Sequence, residues 1–138
     1  MLPDEWRAFM LEDTRTAKLA VTRRDGGPHV TPVWFVLDGG DVVLTTGSTS
    51  VKARSIRLDA QVALCVDDQQ PPYSFVSIQG TATLHDDLDD MLVWATRIGA
   101  RYMGEERAAQ FGRRNAVPGE LLVRVSPTKV IAKAALAD

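Results

Sequence analysis

The sequence predicts a mainly β fold, an antiparallel barrel of six or seven short strands with accessory helices. Three observations lead to this fold class. Apolar residues alternate with polar ones in several short runs, as they do in half-buried strands. Glycine-rich turns join these runs at hairpin spacing. Helical patterns occur only at the start, at one corner and near the end, so the regular strand-helix alternation of a doubly wound sheet is missing.

The first half of the chain is predicted to form one helix and two hairpins. The helix begins at Pro3 or Asp4, where apolar residues start to recur at helical spacing. Strands are then predicted over residues 17–22, 29–37 and 42–46. Turns rich in glycine and aspartate separate these strands. Pro32 lies inside the second strand and lacks an N–H, so we expect it at a sheet edge or a bulge.

The second half is predicted to contain two capped helices and four more strands. Ser48, Thr49 or Ser50 caps a short helix, and Asp86 or Asp87 caps a longer one. The predicted buried stripe of the longer helix consists of Met91, Leu92, Ala95, Ile98 and Tyr102. The remaining predicted elements are a helical piece over residues 105–111 and strands over residues 62–66, 73–84, 121–125 and 129–134.

Length and composition predict a single domain over residues 1–138. A chain of 138 residues with 45% apolar and 25% charged residues can bury a core without disulfides. The net charge of -2 gives no global bias toward nucleic acid. Cys65 is the only cysteine, no signal-peptide pattern is present, and no apolar run approaches the ~20 residues of a membrane span. We therefore expect a cytoplasmic protein with no membrane span and no nucleic-acid partner.

The stretch from Thr45 to Arg57 is the most unusual part of the sequence. Five hydroxyl side chains and a glycine lead into three cations, and the first acid downstream is Asp59. The first turn of a helix has unpaired N–H groups and a partial positive charge, which favour an anion. Lys52 adds a point charge and Arg54 a forked donor, and both suit phosphate oxygens. A capped helix with solvated cations explains the same residues without a ligand, so the stretch alone leaves both interpretations open.

Four segments carry a resemblance to a known family: residues 19–46, 51–66, 74–84 and 121–132. Their order and spacing resemble the pyridoxamine-phosphate-oxidase-like split β-barrel superfamily. Within it, the chain resembles the small flavin/deazaflavin oxidoreductases of actinobacteria, many of which use the deazaflavin coenzyme F420. The resemblance implies a split β-barrel of the FMN-binding type. It also implies a homodimer with the coenzyme in a groove between the subunits.

The resemblance also implies which residues form the coenzyme site. The element from Lys52 to Arg54, preceded by Ser50, is similar to the motif that binds the coenzyme phosphate. Thr45 and Thr46 end the strand before it, where related proteins touch the ribityl chain or the ring edge. Other implied contacts come from a strand that backs the ring and a strand near the ring. The implied coenzyme-binding residues are Thr31, Pro32, Val33, Trp34, Thr45, Thr46, Ser50, Lys52, Arg54, Ser74, Val76 and Gln79.

The resemblance favours F420 as the coenzyme, with FMN as the alternative. F420 carries a phosphate followed by an oligoglutamate tail, so it presents more negative charge than FMN. Arg57, together with Arg23 and Arg24 beyond the first hairpin, is available for that tail, whereas either coenzyme satisfies Lys52 and Arg54. The longer C-terminal tail that holds the substrate phosphate in true pyridoxamine phosphate oxidases is missing, so a vitamin-processing oxidase is not expected.

The reaction that this coenzyme implies is hydride transfer from F420H2 to a polarised double bond of an enone, a quinone or a tetrapyrrole. No side chain is identified as catalytic. Trp34, Phe35, Tyr73 and Phe75 would suit a dry pocket for a flat apolar substrate, and core packing explains each of them equally well. An FMN-binding oxidoreductase and a non-catalytic coenzyme-binding protein, a store or a sensor, are the alternatives.

Other chemistries have little support in the sequence. The only histidines, His29 and His85, have no cysteine or carboxylate at ligand spacing, so no metal site is predicted. Cys65 lies in an apolar run and is interpreted as a core residue, and the acidic residues at 86–90 complement a helix dipole. The serines have no partnering base, which argues against a hydrolase triad.

Overall fold

A computed structural model describes residues 1–137 as seven strands and four helices. The strands are β1 (Ala17–Thr22), β2 (Pro28–Val33), β3 (Val36–Asp38), β4 (Asp41–Gly47), β5 (Gln61–Asp67), β6 (Phe75–His85) and β7 (Glu120–Lys133). The helices are α1 (Pro3–Leu11), α2 (Val51–Leu58), α3 (Leu88–Met103) and α4 (Glu105–Asn115). Every strand pair of this sheet is antiparallel, so the predicted mainly β, antiparallel fold is confirmed.

The sheet closes into a barrel through the link between β2 and β3. The strand order is β2-β1-β5-β6-β7-β4-β3, so these two consecutive strands are the opposite edges of one sheet. With about 4.8 Å between strands, the edges of a flat sheet of this size would lie about 29 Å apart. The step from Val33 to Val36 spans at most about 11 Å, so the sheet must curl until its edges meet. The single strand predicted over residues 29–37 is therefore wrong, because the chain leaves one edge and joins the other.

Alternate side chains of the strands fill the inside of this barrel. Leu19, Leu44 and Ile78 are among the fully or almost fully buried residues of the main core cluster. Phe35, which is fully buried, occupies the point where the two sheet edges meet. Helix α2 adds Ile56 to the same cluster, so its N-terminus is held in a fixed position against the barrel.

Helix α3 covers the outside of the barrel at β3, β4 and β7. Its Met91, Trp94 and Ile98 form a second buried cluster with strand residues such as Val43. The predicted stripe is wrong at Leu92, which is 43% exposed, because the face that meets the sheet runs through positions 91, 94, 95 and 98. Over the described residues, no helix is both long and apolar enough to cross a bilayer.

The two strands predicted at residues 121–125 and 129–134 are one continuous strand, β7. Pro127 pairs with Gly80 next to an irregularity in the ladder between Gln79 and Gly80. A Cβ atom on Gly80 would lie 2.7 Å from the carbonyl oxygen of Ser126, so the absence of a side chain lets the two strands approach here. Strand β6 begins at Phe75 rather than at residue 73, whose φ of 64° ends the preceding loop.

Two rows of side chains cross the outside of β2, β1, β5, β6 and β7, and we call this surface the outer face. The first row is Val30, Ala20, Ala63, Gln79 and Lys129, and the second is Pro32, Lys18, Cys65, Ser77 and Ile131. On its central strands Ala20, Ala63, Cys65 and Ser77 are small and half-buried, Lys18 and Gln79 are long and polar, and Val30 at its margin is 61% exposed. Pro32 lies in an edge strand, as its missing N–H predicts.

Candidate functional site

Ser50 fixes the start of helix α2 directly after β4. Its hydroxyl oxygen accepts a hydrogen bond from the backbone N–H of Ala53 at 3.0 Å, so of the three predicted caps Ser50 is the N-cap. The same hydroxyl lies 2.9 Å from the hydroxyl of Thr46, which is buried. The end of β4 and the first turn of α2 are thus joined by a short network of hydroxyl groups.

Alanine at Ser50 is expected to lower the free energy of unfolding by about 1–2 kcal/mol, because the cap and the partner of the buried Thr46 hydroxyl are both lost. Aspartate at the same position keeps an N-cap acceptor and complements the helix dipole, so Ser50→Asp should stay within about 0.5 kcal/mol of the natural protein. Urea unfolding curves of the two variants measure the difference. Equal stability of Ser50→Ala and the natural protein would contradict this role of the hydroxyl.

Lys52 links the first turn of α2 to strand β2. Its ammonium group donates a hydrogen bond to the hydroxyl of Thr31 at 3.3 Å. No carboxylate among residues 1–137 forms a salt bridge with Lys52. Thr46 with Ser50 and Lys52 with Thr31 thus form two hydrogen-bonded pairs around the start of α2, and we call these four residues the α2 corner. It combines hydroxyl groups, an unpaired ammonium and the N-terminus of a helix, which together favour an anion.

A cleft of about 490 Å³ opens beside α2, against the turn between β1 and β2, and we call it the arginine cleft. Its cationic residues are Arg54 from α2 and Arg23 and Arg24 from the turn. Asp25 is the one acidic residue in its lining, and it lies 3.5 Å from the guanidinium of Arg23. Val51, Ser55 and Leu58 complete the lining. Three guanidinium groups against one carboxylate give the cleft a net positive charge, which suits an anionic chain.

The side chains of Lys52 and Arg54 have different surroundings, although the two residues are only two positions apart. Two residues of an α-helix correspond to a rotation of about 200°, so their side chains leave α2 on nearly opposite sides. Lys52 reaches Thr31, whereas Arg54 lines the arginine cleft. Arg57 is engaged within the chain, because its guanidinium donates to the backbone oxygen of Ser48 at 2.7 Å.

The other sequence-predicted site residues do not join the α2 corner. Val33 and Val76 are buried in the barrel interior, at 8% and 0% exposure, so their side chains are not accessible from outside. The hydroxyl of Ser74 accepts a hydrogen bond from the backbone N–H of Ala135 at 3.1 Å. Thr45 points to the opposite side of β4 from its neighbour Thr46. Pro32 and Gln79 lie on the outer face, and Trp34 lies in the link between β2 and β3.

Arg101 and Tyr102 at the end of α3 form a hydrogen-bonding centre that the sequence pattern did not single out. The guanidinium of Arg101 donates to four backbone oxygens, those of Met10, Asp13, Arg15 and Phe35, at 2.6–3.3 Å. The Tyr102 hydroxyl donates to the oxygen of Arg15 at 2.8 Å and accepts from the N–H of Phe35 at 3.2 Å. Burial raises the pKa of the Tyr102 hydroxyl and lowers the pKa of the Arg101 guanidinium. The two residues tie α1, the start of β1 and the β2–β3 link together.

Cys65 is half-buried on the outer face, so its interpretation as a core residue is wrong. Burial, and then the charge of Asp67, raise the pKa of the Cys65 thiol, which disfavours the reactive thiolate. No group of three histidine, cysteine or acidic residues within residues 1–137 is arranged to hold a metal ion.

Structural comparisons place this fold among known proteins. The conserved hypothetical protein Rv2991 from Mycobacterium tuberculosis aligns with a TM-score of 0.84 and 24% identity, over 96% of this chain and 84% of that one. An F420 reductase aligns with a TM-score of 0.70 and 24% identity, over 90% of this chain and 94% of that one. HutZ, a heme storage protein from Vibrio cholerae, aligns with a TM-score of 0.74 and 18% identity, over 99% of both chains. At these identities the likeness shows the fold alone.

Sequence comparison gives the family. A search of curated proteins gave no match. The family model described as pyridoxamine 5'-phosphate oxidase matches residues 2–134, a span that includes all seven strands and both cationic sites beside α2. Since that match covers nearly the whole sequence, and the barrel agrees with those of the structural neighbours, the chain belongs to the pyridoxamine 5'-phosphate oxidase family.

Proposed function

We propose that this protein is an F420H2-dependent reductase, which transfers a hydride from the reduced deazaflavin to an unsaturated small molecule. The observation that carries this proposal is the pair of cationic sites on opposite sides of α2. One is the α2 corner with Lys52, and the other is the arginine cleft with Arg54. A coenzyme with two separated anionic groups matches this arrangement better than a coenzyme with one.

The α2 corner has the donors that a coenzyme phosphate requires. The first turn of α2 directs free N–H groups away from the helix, and Lys52 adds a positive charge without a carboxylate partner. Thr31 adds a hydroxyl group 3.3 Å from this ammonium, and Ser50 adds one at the N-cap of the same helix. These residues would hold the phosphate of F420, and they would hold the phosphate of FMN equally well.

The arginine cleft supports F420 over FMN. FMN ends at its phosphate and has no second anionic group for Arg23, Arg24 and Arg54. F420 continues past the phosphate into an oligoglutamate tail, whose carboxylates suit three guanidinium groups. The apolar surface of Val51 and Leu58 offers contact for the methylene groups of the same tail.

Bound F420H2 supplies the hydride, and the protein supplies binding, orientation and exclusion of water. Lys52 and the hydroxyl groups of the α2 corner would hold the coenzyme phosphate. The arginine cleft would hold the tail that follows this phosphate. Two anchored groups would limit the positions that the ring can reach, which favours transfer to a positioned acceptor.

A homodimer built on the outer face is part of the proposal. The centre of this face includes the small, half-buried residues Ala20, Ala63 and Ser77, over which another subunit can approach closely. Val30 and Ile131, 61% and 42% exposed, lie toward its margins and would gain burial from a partner subunit.

Fluorescence titration of the purified protein with F420 and with FMN tests the coenzyme. We expect micromolar or tighter binding of F420 and binding of FMN at least about 10-fold weaker, since only F420 reaches the arginine cleft. The opposite order would identify an FMN protein. Single-turnover mixing of the F420H2 complex with quinones, enones and tetrapyrroles then tests the reaction. Tight binding of F420 with no oxidation by any acceptor would identify a store or a sensor instead.

A further inference from the structure

Trp34 is the most solvent-exposed of the three tryptophans. It is 40% exposed, whereas Trp6 and Trp94 are 7% and 9% exposed. Its neighbours in the β2–β3 link, Val33 and Phe35, are buried at 8% and 0% exposure, so the backbone beneath it is held on both sides. A large aromatic ring is thus kept at the surface by two buried neighbours.

The ring of Trp34 is rigidly supported. It stacks on Tyr102 with 4.9 Å between ring centroids and 6° between the ring planes, and Phe111 lies 6.0 Å away at a tilt of 52°. Tyr102 is itself fixed by its hydrogen bonds to Arg15 and Phe35. Tyr102 covers one face of the indole, so the exposure of Trp34 belongs to the other face and the ring edge. A second flat molecule can stack there without first ordering the side chain.

A positive charge lies beside this stack. The guanidinium carbon of Arg101 is 4.8 Å from the centroid of the Tyr102 ring. All of its hydrogen bonds go to backbone oxygens, and no acidic residue among residues 1–137 pairs with it. Its charge is therefore not cancelled by a carboxylate. This charge holds Tyr102 in place beneath the indole, and the exposed indole face favours a planar conjugated molecule, as a quinone-type hydride acceptor is.

Trp34 lies close to the α2 corner along the chain but faces a different part of the protein. It follows Thr31, the partner of Lys52, by three residues, or about 10 Å of extended chain. Thr31 and Val33 alternate onto the interior side of β2, whereas Trp34 turns toward α3 and α4 and meets Tyr102 and Phe111. A coenzyme ring bound from the α2 corner is thus within reach of the stacked rings of Trp34 and Tyr102. These rings are supported by α3 and α4, which are not part of the α2 corner.

We propose that the exposed face of Trp34 is the stacking surface for the hydride acceptor, and that this acceptor is a planar conjugated carbonyl compound of the quinone type. This assignment rests on the proposed function, because it presumes a hydride donor nearby. It makes Trp34 a specificity-determining residue that binds the acceptor and not the coenzyme.

Menadione, a flat bicyclic quinone, is a suitable probe for the full-length protein without coenzyme. Isothermal titration calorimetry should show menadione binding that falls about 10-fold or more in Trp34→Ala and stays within about 3-fold in Trp34→Phe, which keeps an aromatic face. Trp94→Phe, a change at a buried tryptophan of α3, serves as the matched control and should bind menadione normally. 2-Cyclohexenone, a carbonyl compound without an extended flat ring system, should bind the natural protein and Trp34→Ala equally weakly.

F420 affinity, measured by coenzyme fluorescence, separates this inference from the proposed function. We expect Trp34→Ala to bind F420 within about 2-fold of the natural protein. Unchanged menadione affinity in Trp34→Ala would overturn the inference, and so would an equal loss of F420 affinity, which would mean that Trp34 backs the coenzyme ring. If the natural protein bound no F420 but bound menadione through Trp34, the proposed function would fail and the stacking surface would stand.

Discussion

Alanine at Lys52 is expected to weaken the binding of both F420 and FMN about 100-fold, whereas alanine at Arg54 should weaken F420 alone. Lys52 belongs to the α2 corner, where either coenzyme places a phosphate, and loss of a charge-assisted hydrogen bond of this kind costs about 2–3 kcal/mol. Arg54 faces the arginine cleft, which only the tail of F420 reaches. Because the two side chains bind separate anionic groups, their effects on F420 affinity should add in the double variant.

Arg57→Ala is the matched control for this pair, since it removes the same charge from the same helix. Its guanidinium is already engaged by the backbone oxygen of Ser48, so coenzyme affinity should change by less than about 5-fold. Dissociation constants from fluorescence titration, with urea unfolding to check stability, measure all four variants. If Lys52→Ala and Arg54→Ala weakened FMN equally, a single shared phosphate site would explain the data and the assignment of two sites would be wrong.

Alanine at Arg101 is expected to have the largest effect on stability, lowering the free energy of unfolding by roughly 3 kcal/mol or more. The change removes a charged donor from four backbone oxygens and leaves those oxygens without their partner. Arg101→Lys should recover less than half of the lost free energy of unfolding. An ammonium group lacks the planar set of N–H donors with which the guanidinium reaches α1, the loop before β1 and the β2–β3 link.

The matched control for Arg101 is Arg113→Ala, which removes an exposed arginine from α4 and should change stability by less than about 0.5 kcal/mol. Chemical unfolding followed by far-ultraviolet circular dichroism gives the free energies. If Arg101→Ala lowered the free energy of unfolding by less than about 1 kcal/mol, water would be replacing the guanidinium at these oxygens. The proposal that Arg101 holds the three segments together would then be rejected.

Features that depend on neighbouring residues were predicted well from the sequence. The N-cap of α2, the edge position of Pro32 and the bounds of β1 follow from local rules on hydroxyl groups, the missing N–H of proline and side-chain alternation. The antiparallel barrel followed from the number of strands and the spacing of turns, and it is confirmed.

Features that depend on distant partners could not be predicted in the same way. The break between Val33 and Val36 arises from barrel closure, and apolar residues continue through it without a local stop signal. Pro127 could remain inside β7 only because Gly80, 47 positions earlier, lies opposite it. The oxygens that Arg101 binds are 66 to 91 positions away, so no spacing rule singles this arginine out.

The candidate site also combines residues that are neighbours in the sequence with residues that only the fold brings together. The cluster of hydroxyl groups and cations before and within α2 is contiguous in the sequence, so the sequence alone could suggest an anion site there. The sequence motif groups Lys52 with Arg54, whereas the turn of the helix directs their side chains to opposite sides of α2. The partners of Arg54 in the arginine cleft come from the β1–β2 turn, about 30 positions earlier, and only the fold shows that they meet.

The position of β7 between β6 and β4 has a consequence for biosynthesis. Strands β2, β1, β5 and β6 form one block and β4 with β3 forms another, and β7 is the only strand that bridges the two blocks within the described residues. During translation the two blocks emerge first and have no sheet contact with each other until the bridging strand leaves the ribosome. Thr31 of the α2 corner lies in the first block and Thr46 in the second, so this corner is complete only after β7 has been synthesised.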